Sequence, residues 1–123
     1  MEKRNVKVYI AGKLNDEATK YIANVHRMIK TAAEVRKAGY SVYVPAVDLL
    51  EGIVSGDFEY DDYFDNSQPW LLASDVMMLV EGWESSPGVA REIKLAEAND
   101  IPVFNKVIDI DRHYKLLDSL RGD

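Results

Sequence analysis

The chain contains no cysteine, which excludes a disulfide framework and any zinc site built on thiolates. It has only two histidines, His26 and His113, and they are too far apart in sequence to suggest a metal centre. No apolar run approaches the roughly 18 residues of a membrane span, and the N-terminal segment lacks the apolar core of a signal peptide. These absences predict a cytoplasmic protein with no membrane segment and no metal site.

Positive charge is also scarce, since 15 Lys and Arg face 21 Asp and Glu for a net charge of −6. Five of the acidic residues lie close together between positions 57 and 65, which contain no Lys or Arg. Such a surface repels a nucleic-acid backbone, so we expect small-molecule ligands and no nucleic-acid partner. The spacing of these acids does not match an EF-hand loop, which favours a solvated face over a cation site. The acidic residues of this segment are Asp57, Glu59, Asp61, Asp62 and Asp65.

The 123 residues, 47% of them hydrophobic, suffice for one domain, spanning residues 1–123, with a core of its own. Strand patterns alternate with helix patterns along the chain. This alternation predicts an α/β fold: a single open parallel sheet with helices on both faces, flavodoxin-like or Rossmann-like. The predicted strands are residues 6–11, 41–44, 76–80 and 101–104, with a short fifth at 107–110. The predicted helices lie between Asp16 and Gly39 and at residues 63–73, 87–99 and 114–120, with Pro69 marking a start or a kink in the second.

In open parallel sheets, ligands bind beyond the carboxyl ends of the strands. One segment at that end leads into a helix that begins with Ser86 and Pro87, typical N-terminal helix residues. The unpaired backbone N–H groups of such a helix end form a natural anion site. Glu92 stands about one and a half turns into this helix. A carboxylate there can attack a sugar carbon while the helix end holds an anionic part of the same ligand.

Three segments also carry a resemblance to a known family. They read Val-Tyr-Ile-Ala-Gly at residues 8–12, Trp-Leu-Leu-Ala-Ser-Asp at 70–75, and Gly-Trp-Glu-Ser-Ser-Pro-Gly-Val-Ala-Arg-Glu at 82–92. In this order and spacing they resemble the nucleoside 2-deoxyribosyltransferase-like superfamily, above all its small phage and bacterial members. The deoxynucleoside-monophosphate N-glycosidases are better-understood relatives. The similarity covers roughly residues 6–104.

The resemblance implies cleavage or exchange of the N-glycosidic bond of a 2′-deoxynucleoside or its 5′-monophosphate, with no metal or organic cofactor. It makes Glu92 the nucleophile that attacks C1′, places Tyr9 beside it, and assigns Ser86 to the sugar or 5′-phosphate. Relatives often form dimers or larger assemblies, which implies a homo-oligomer here, with residues 60–64 as a contact region.

This chain departs from the family pattern at two places. Where relatives carry an aspartate eight residues before the equivalent of Asp75, this chain has Ser67. Where the hydrolases carry a small phosphate-binding loop after the first strand, this chain has Lys13, Leu14 and Asn15.

Further side chains are predicted to contact the substrate. Lys13 can supply a positive charge to a phosphate, and Asp48 or Glu81 can protonate the leaving base. Trp83 can stack on the base, whereas Trp70 is expected to pack into the core. The full set of predicted additional contacts is Gly12, Lys13, Asp48, Glu81, Trp83 and Gly88.

Each of the main candidates has a structural alternative. Glu92 can be a solvated residue paired with Arg91 or Lys94, Ser86 can serve only as a helix N-cap, and Tyr9 can be a core aromatic. Two other functions also fit the sequence. One is a nucleotide-binding or sensing module of the same fold without turnover, and the other is a structural protein whose acidic segment docks a basic partner.

Overall fold

The computed structural model describes residues 2–14, 18–45 and 60–121. These residues form one parallel sheet with helices packed on both faces, so the predicted flavodoxin-like or Rossmann-like α/β class is confirmed. None of the helices in these ranges has the length and apolar character needed to cross a lipid bilayer. The strands are β1 (Lys7–Ala11), β2 (Ser41–Tyr43), β3 (Val76–Leu79) and β4 (Val103–Phe104). The helices are α1 (Ala18–Lys37), α2 (Tyr60–Leu72), α3 (Pro87–Ala98) and α4 (Val107–Leu120).

The strand order is β2-β1-β3-β4, and every pair is parallel. The chain leaves β1 toward β2 on one side and later adds β3 on the other, so the strand order reverses beside β1. Tyr9 of β1 stands opposite Tyr43 of β2 and Met77 of β3. Because side chains alternate along a strand, Tyr9 faces one side of the sheet while Val8 and Ile10 face the other.

Two apolar layers sandwich the sheet. On the face of Val8 and Ile10, α1 and α4 cover the strands, and on the face of Tyr9 the cover is α2 and α3. Every residue of β3 is buried, as predicted for a strand covered on both faces. The helical residues buried in the first layer are Met28, Ala32, Val35 and Ile110. Those buried in the second are Leu71, Val89 and Ala96.

The fifth strand predicted at residues 107–110 is wrong, because this segment is the first turn of α4. Its β-branched residues favour a strand by local propensity alone. In the fold, Ile110 is fully buried, and Val107 and Tyr114 pack against the same core. These positions are spaced by three and four residues, so a helix presents all of them to the sheet, whereas a strand would alternate them.

Helix α2 begins at Tyr60 rather than at residue 63 and continues through Pro69, which therefore does not mark its start. Pro69 lies near the end of α2, and the helix ends within one turn after it. The Ala73 amide donates a hydrogen bond to the Pro69 carbonyl at 3.0 Å. The Ser74 hydroxyl donates to the Trp70 carbonyl at 2.8 Å, so these two carbonyls of the last turn have partners.

Gly12 follows β1 at a point where the main chain passes close to Val80. A Cβ atom at this position would lie 2.8 Å from the Val80 Cβ and 3.3 Å from the Met28 Cε. We expect Gly12→Ala to lower the free energy of unfolding by about 1–2 kcal/mol, because crowding outweighs the entropy gained in the unfolded state. Urea unfolding measures the change. Gly82→Ala is the control. A Cβ atom at position 82 would meet nothing within 4 Å, but φ there is 93°, so this variant measures the cost of backbone strain alone. An unchanged urea midpoint for Gly12→Ala would contradict the packing role.

Candidate functional site

Tyr9 and Glu92 meet between the sheet and α3. The Tyr9 hydroxyl donates a hydrogen bond to Glu92 Oε2, with an oxygen–oxygen distance of 2.5 Å. Tyr9 is 1% exposed and Glu92 is partly buried. Since Val89 and Ala96 on the same helix face the core, Glu92 lies at the edge of the buried face, with its carboxylate turned toward β1. The structure thus brings together the two residues predicted to be catalytic.

Burial changes the ionisation of both partners. It raises the pKa of Glu92 from 4.5 to about 7, against the opposing effect of the hydrogen bond from Tyr9. Burial, followed by the nearby Glu92 carboxylate, raises the pKa of Tyr9 far above its usual range, so this phenol remains a proton donor. A carboxylate that titrates near neutral pH beside a fixed donor is suited to nucleophilic or acid–base chemistry.

Ser67 of α2 approaches the same pair from the neighbouring helix. It is 7% exposed, its hydroxyl donates to the Phe64 carbonyl at 3.3 Å, and its proximity to Tyr9 acts to lower the pKa of that tyrosine. The sequence marked Ser67 only as a departure from relatives and did not assign it a place in the site. The signal was its spacing: Phe64, Ser67 and Leu71 form the buried stripe of α2, in which a serine is unusual.

Three stacked aromatic rings extend from Tyr9 past β2 to the end of α2. The Tyr43 ring lies between the other two, 5.6 Å from Tyr9 and 5.3 Å from Trp70, centroid to centroid. Trp70 is 54% exposed, so its predicted place in the core is wrong. It lies in the last turn of α2, where stacking on Tyr43 covers one ring face while the rest of the indole meets solvent. The stack therefore runs from the buried tyrosine to the surface.

The N-terminus of α3 has the capping predicted from sequence. Ser86 Oγ accepts a hydrogen bond from the Val89 amide at 3.2 Å. This is the contact of a helix N-cap, the structural alternative given above for this serine. Lys13 Nζ donates to Ser85 Oγ at 3.3 Å, which brings the loop after β1 to the loop before α3. Gly88 lies, partly buried, in the first turn of the helix.

The remaining candidates are spread more widely. Glu81 is exposed in the turn after β3, and Trp83 is partly buried against the core beneath α2 and α3. Gly12 has the packing role described above. Asp48 lies outside the described residues. Within the parts of the chain that the structure describes, no three His, Asp or Glu side chains come together as a metal site.

A cleft of about 610 Å³ lies elsewhere, at the outer strand β4. Neither Tyr9 nor Glu92 is among its described lining residues. Its walls combine apolar side chains with the Arg112 guanidinium and the His113 imidazole. Arg112 also lies 3.6 Å from the Asp109 carboxylate. The described lining residues are Leu79, Val103, Phe104, Asn105, Asp109, Arg112, His113 and Leu116.

Comparison with known proteins identifies a family. Residues 6–105 match the family described as a domain of unknown function, DUF4406, which is 100 of the 123 residues. No curated protein matches the sequence. The matched region extends from β1 through β4 and includes Tyr9, Ser67 and Glu92. The chain therefore belongs to the DUF4406 family, a domain of unknown function.

Proposed function

We propose that this protein cleaves or exchanges the N-glycosidic bond of a 2′-deoxynucleoside or its 5′-monophosphate. The observation that carries the proposal is the hydrogen-bonded pair of Tyr9 and Glu92, held between β1 and α3 with the carboxylate turned toward the sheet. The substrate class comes from the resemblance of three segments to the nucleoside 2-deoxyribosyltransferase-like superfamily.

In the proposed reaction, one oxygen of the Glu92 carboxylate attacks C1′ of the sugar. The C1′–N bond breaks, and the base leaves with the electron pair and takes up a proton. The sugar is then bound to Glu92 as an ester, and attack on C1′ by water or by a second base releases the carboxylate. Tyr9 donates to Oε2, which leaves the Oε1 atom of Glu92 for the attack.

The N-terminus of α3 supports a role for a phosphate on the substrate. The first amides of this helix and the nearby Lys13 ammonium provide positive charge at one side of the site. A nucleoside 5′-monophosphate presents a dianion several bonds away from C1′, which suits a nucleophile further along the same helix. The proposal includes no cofactor, and it places the protein in the cytoplasm as a homodimer or larger homo-oligomer.

The direct test is incubation of the protein with the four common 2′-deoxynucleosides and their 5′-monophosphates, followed by chromatography for free base. Release of base from at least one compound is expected. Addition of a different free base then separates the two outcomes of the intermediate: a new nucleoside indicates transfer, and only free sugar or sugar phosphate indicates hydrolysis. Absence of released base from every compound contradicts the proposal.

The second candidate is a nucleotide-binding or sensing module of the same fold. Ser67 favours it, because a serine stands where relatives carry an aspartate, and a hydroxyl does not supply a proton as readily as a carboxylic acid. The same panel separates the candidates when binding is followed by thermal shift. A nucleotide that raises the unfolding temperature but never loses its base supports the sensor.

A further inference from the structure

The cleft beside β4 has no part in the proposed reaction, yet it lies where sheets of this class bind ligands. Leu79 is the last residue of β3, and Asn105 follows the last residue of β4, so the cleft lies at the carboxyl ends of two parallel strands. Open parallel sheets bind their ligands at this edge. The cleft volume of about 610 Å³ is within the range of roughly 300–1,000 Å³ that is typical of small-molecule sites.

The lining of the cleft has a helical part and a strand part. The helical part recurs at intervals of three and four positions, so it follows one flank of α4. It consists of Asp109, Arg112, His113 and Leu116. The strand part is apolar and lies at the ends of β3 and β4. It consists of Leu79, Val103 and Phe104. Apolar walls with a few polar groups are the usual composition of a small-molecule site.

Two aromatic rings lie together in this lining. The Phe104 and His113 rings have centroids 5.3 Å apart and planes inclined by 55°. Tyr114 packs against His113 from another direction, nearly edge-on, with centroids 5.1 Å apart. The imidazole is therefore held between two aromatic neighbours. Aromatic side chains in such arrangements pack well against another flat ring, so the lining is suited to a ligand that contains one.

Arg112 gives the cleft an available positive charge. Its side chain is 74% exposed, and its Nη1 atom lies 3.6 Å from the Asp109 Oδ1 atom. This distance is too long for a good hydrogen bond, so the guanidinium retains its donors for a ligand. Asp109 lies in the first turn of α4, where the positive end of the helix dipole offsets its charge. The amide of Asn105 adds a neutral donor to the same lining. The polar groups thus favour an anion.

We propose that this cleft is a second ligand site, separate from the site of Glu92, for a small molecule that joins a flat aromatic ring to one carboxylate or phosphate group. The ring packs against Phe104 and His113. Arg112 and Asn105 donate hydrogen bonds to the anionic group, because a guanidinium matches the geometry of carboxylates and phosphates with paired N–H groups. A ligand without charge leaves the guanidinium unused, and a cationic ligand is repelled by it.

The test is a titration of ¹⁵N-labelled protein, followed by NMR, with indole-3-carboxylate and with phenyl phosphate. At least one probe is expected to give saturable shifts of the backbone amides of Asn105 and His113 and of the Arg112 side-chain Nε–H. The tighter of the two probes identifies the anionic group that the site prefers. Indole and inorganic phosphate each carry only half of the chemistry, so both are expected to bind at least about tenfold more weakly than that probe.

Variants of the lining assign the binding to this cleft. Arg112→Gln is expected to weaken it about tenfold, because charge-assisted hydrogen bonds to the anionic group are lost. The matched control is Arg121→Gln, an exposed arginine nine residues later and so on the opposite side of α4, which is expected to leave Kd unchanged. Leu116→Glu is a second variant, at an exposed position that folding does not need, and its negative charge is expected to weaken binding by a similar factor.

Several results overturn the proposal. One is the absence of saturable shifts with both probes. Another is a Kd that neither Arg112→Gln nor Leu116→Glu changes, and a third is a set of shifts centred on Tyr9 and Glu92 instead of on the cleft. Sedimentation that finds a dimer, which Leu116→Glu converts to a monomer, would show that a second copy covers the cleft and also overturns it. The titration uses no deoxynucleoside and no released base, so its outcome is independent of the proposed reaction.

Discussion

Glu92→Gln is expected to abolish the release of free base, lowering kcat by about a thousandfold or more, while the nucleotide still binds. Glutamine has nearly the same size as glutamate, and its Oε1 can accept the hydrogen bond that Tyr9 donates to the carboxylate. Its neutral amide cannot form the ester with C1′. The loss is therefore expected in turnover rather than in affinity. Chromatography of released base gives kcat, and calorimetric titration with the preferred nucleotide gives Kd.

The matched control is Glu97→Gln, which changes an exposed glutamate on the same helix. It is expected to leave kcat and Kd as in the wild type. Mass spectrometry of wild-type protein quenched during turnover is expected to find a sugar on the peptide that contains Glu92. Turnover of Glu92→Gln within tenfold of the wild type would show that Glu92 is not the nucleophile and would leave the fold without its proposed chemistry.

The order of strands and helices could be predicted because each central element has a simple apolar pattern. Val76 to Leu79 form an unbroken apolar run, which indicates a strand buried on both faces, and all four residues are buried. Gly39 ends the first crossover helix as expected, with a φ of 110°. A strand, a crossover helix and a strand predict parallel pairing of β1 with β2, and the register confirms it.

The start of α4 and the place of Trp70 could not be predicted in this way. Both depend on which surface a segment meets after the chain has folded. Val107 and Ile110 favour a strand locally, but a helix buries Ile110 against the sheet. Trp70 is large and apolar, yet its position in the last turn of α2 leaves it at the surface. Local propensity carries no information about such contacts.

The residues of the candidate site also differ in how far the sequence could predict them. Tyr9 lies on a predicted strand, and Glu92 follows a recognisable helix start, so their proximity follows from the parallel sheet and the resemblance together. The place of Ser67 depends on the packing of α2 against the sheet, and Ser67 lies 58 positions after Tyr9 in the sequence. Its burial could be inferred from the spacing to Phe64 and Leu71, but its proximity to Tyr9 depends on the position that α2 takes along the sheet.

The raised pKa of Glu92 also has a consequence for stability. The pKa of the Glu92 carboxyl group is about 7 in the folded protein, whereas its ordinary value of 4.5 applies in the unfolded chain. Between these two values the folded state binds more protons than the unfolded state. Stability is therefore lost as the pH rises through this window, and the loss is complete above pH 7. The carboxylate is thus least favourable for folding at the pH where it is ionised and can attack a sugar.

Glu92→Gln is accordingly expected to stabilise the protein in a pH-dependent way. The gain in free energy of unfolding is expected to be about 1 kcal/mol near pH 5 and about 3 kcal/mol near pH 8, because the neutral amide avoids the cost of a buried charge. Urea unfolding of wild type and variant at both pH values measures the difference, and the exposed Glu97→Gln is expected to show none at either. A gain of equal size at both pH values would instead indicate better packing by the amide. Only a gain that grows with pH would show that folding works against the ionised carboxylate, which is the state the proposed reaction requires.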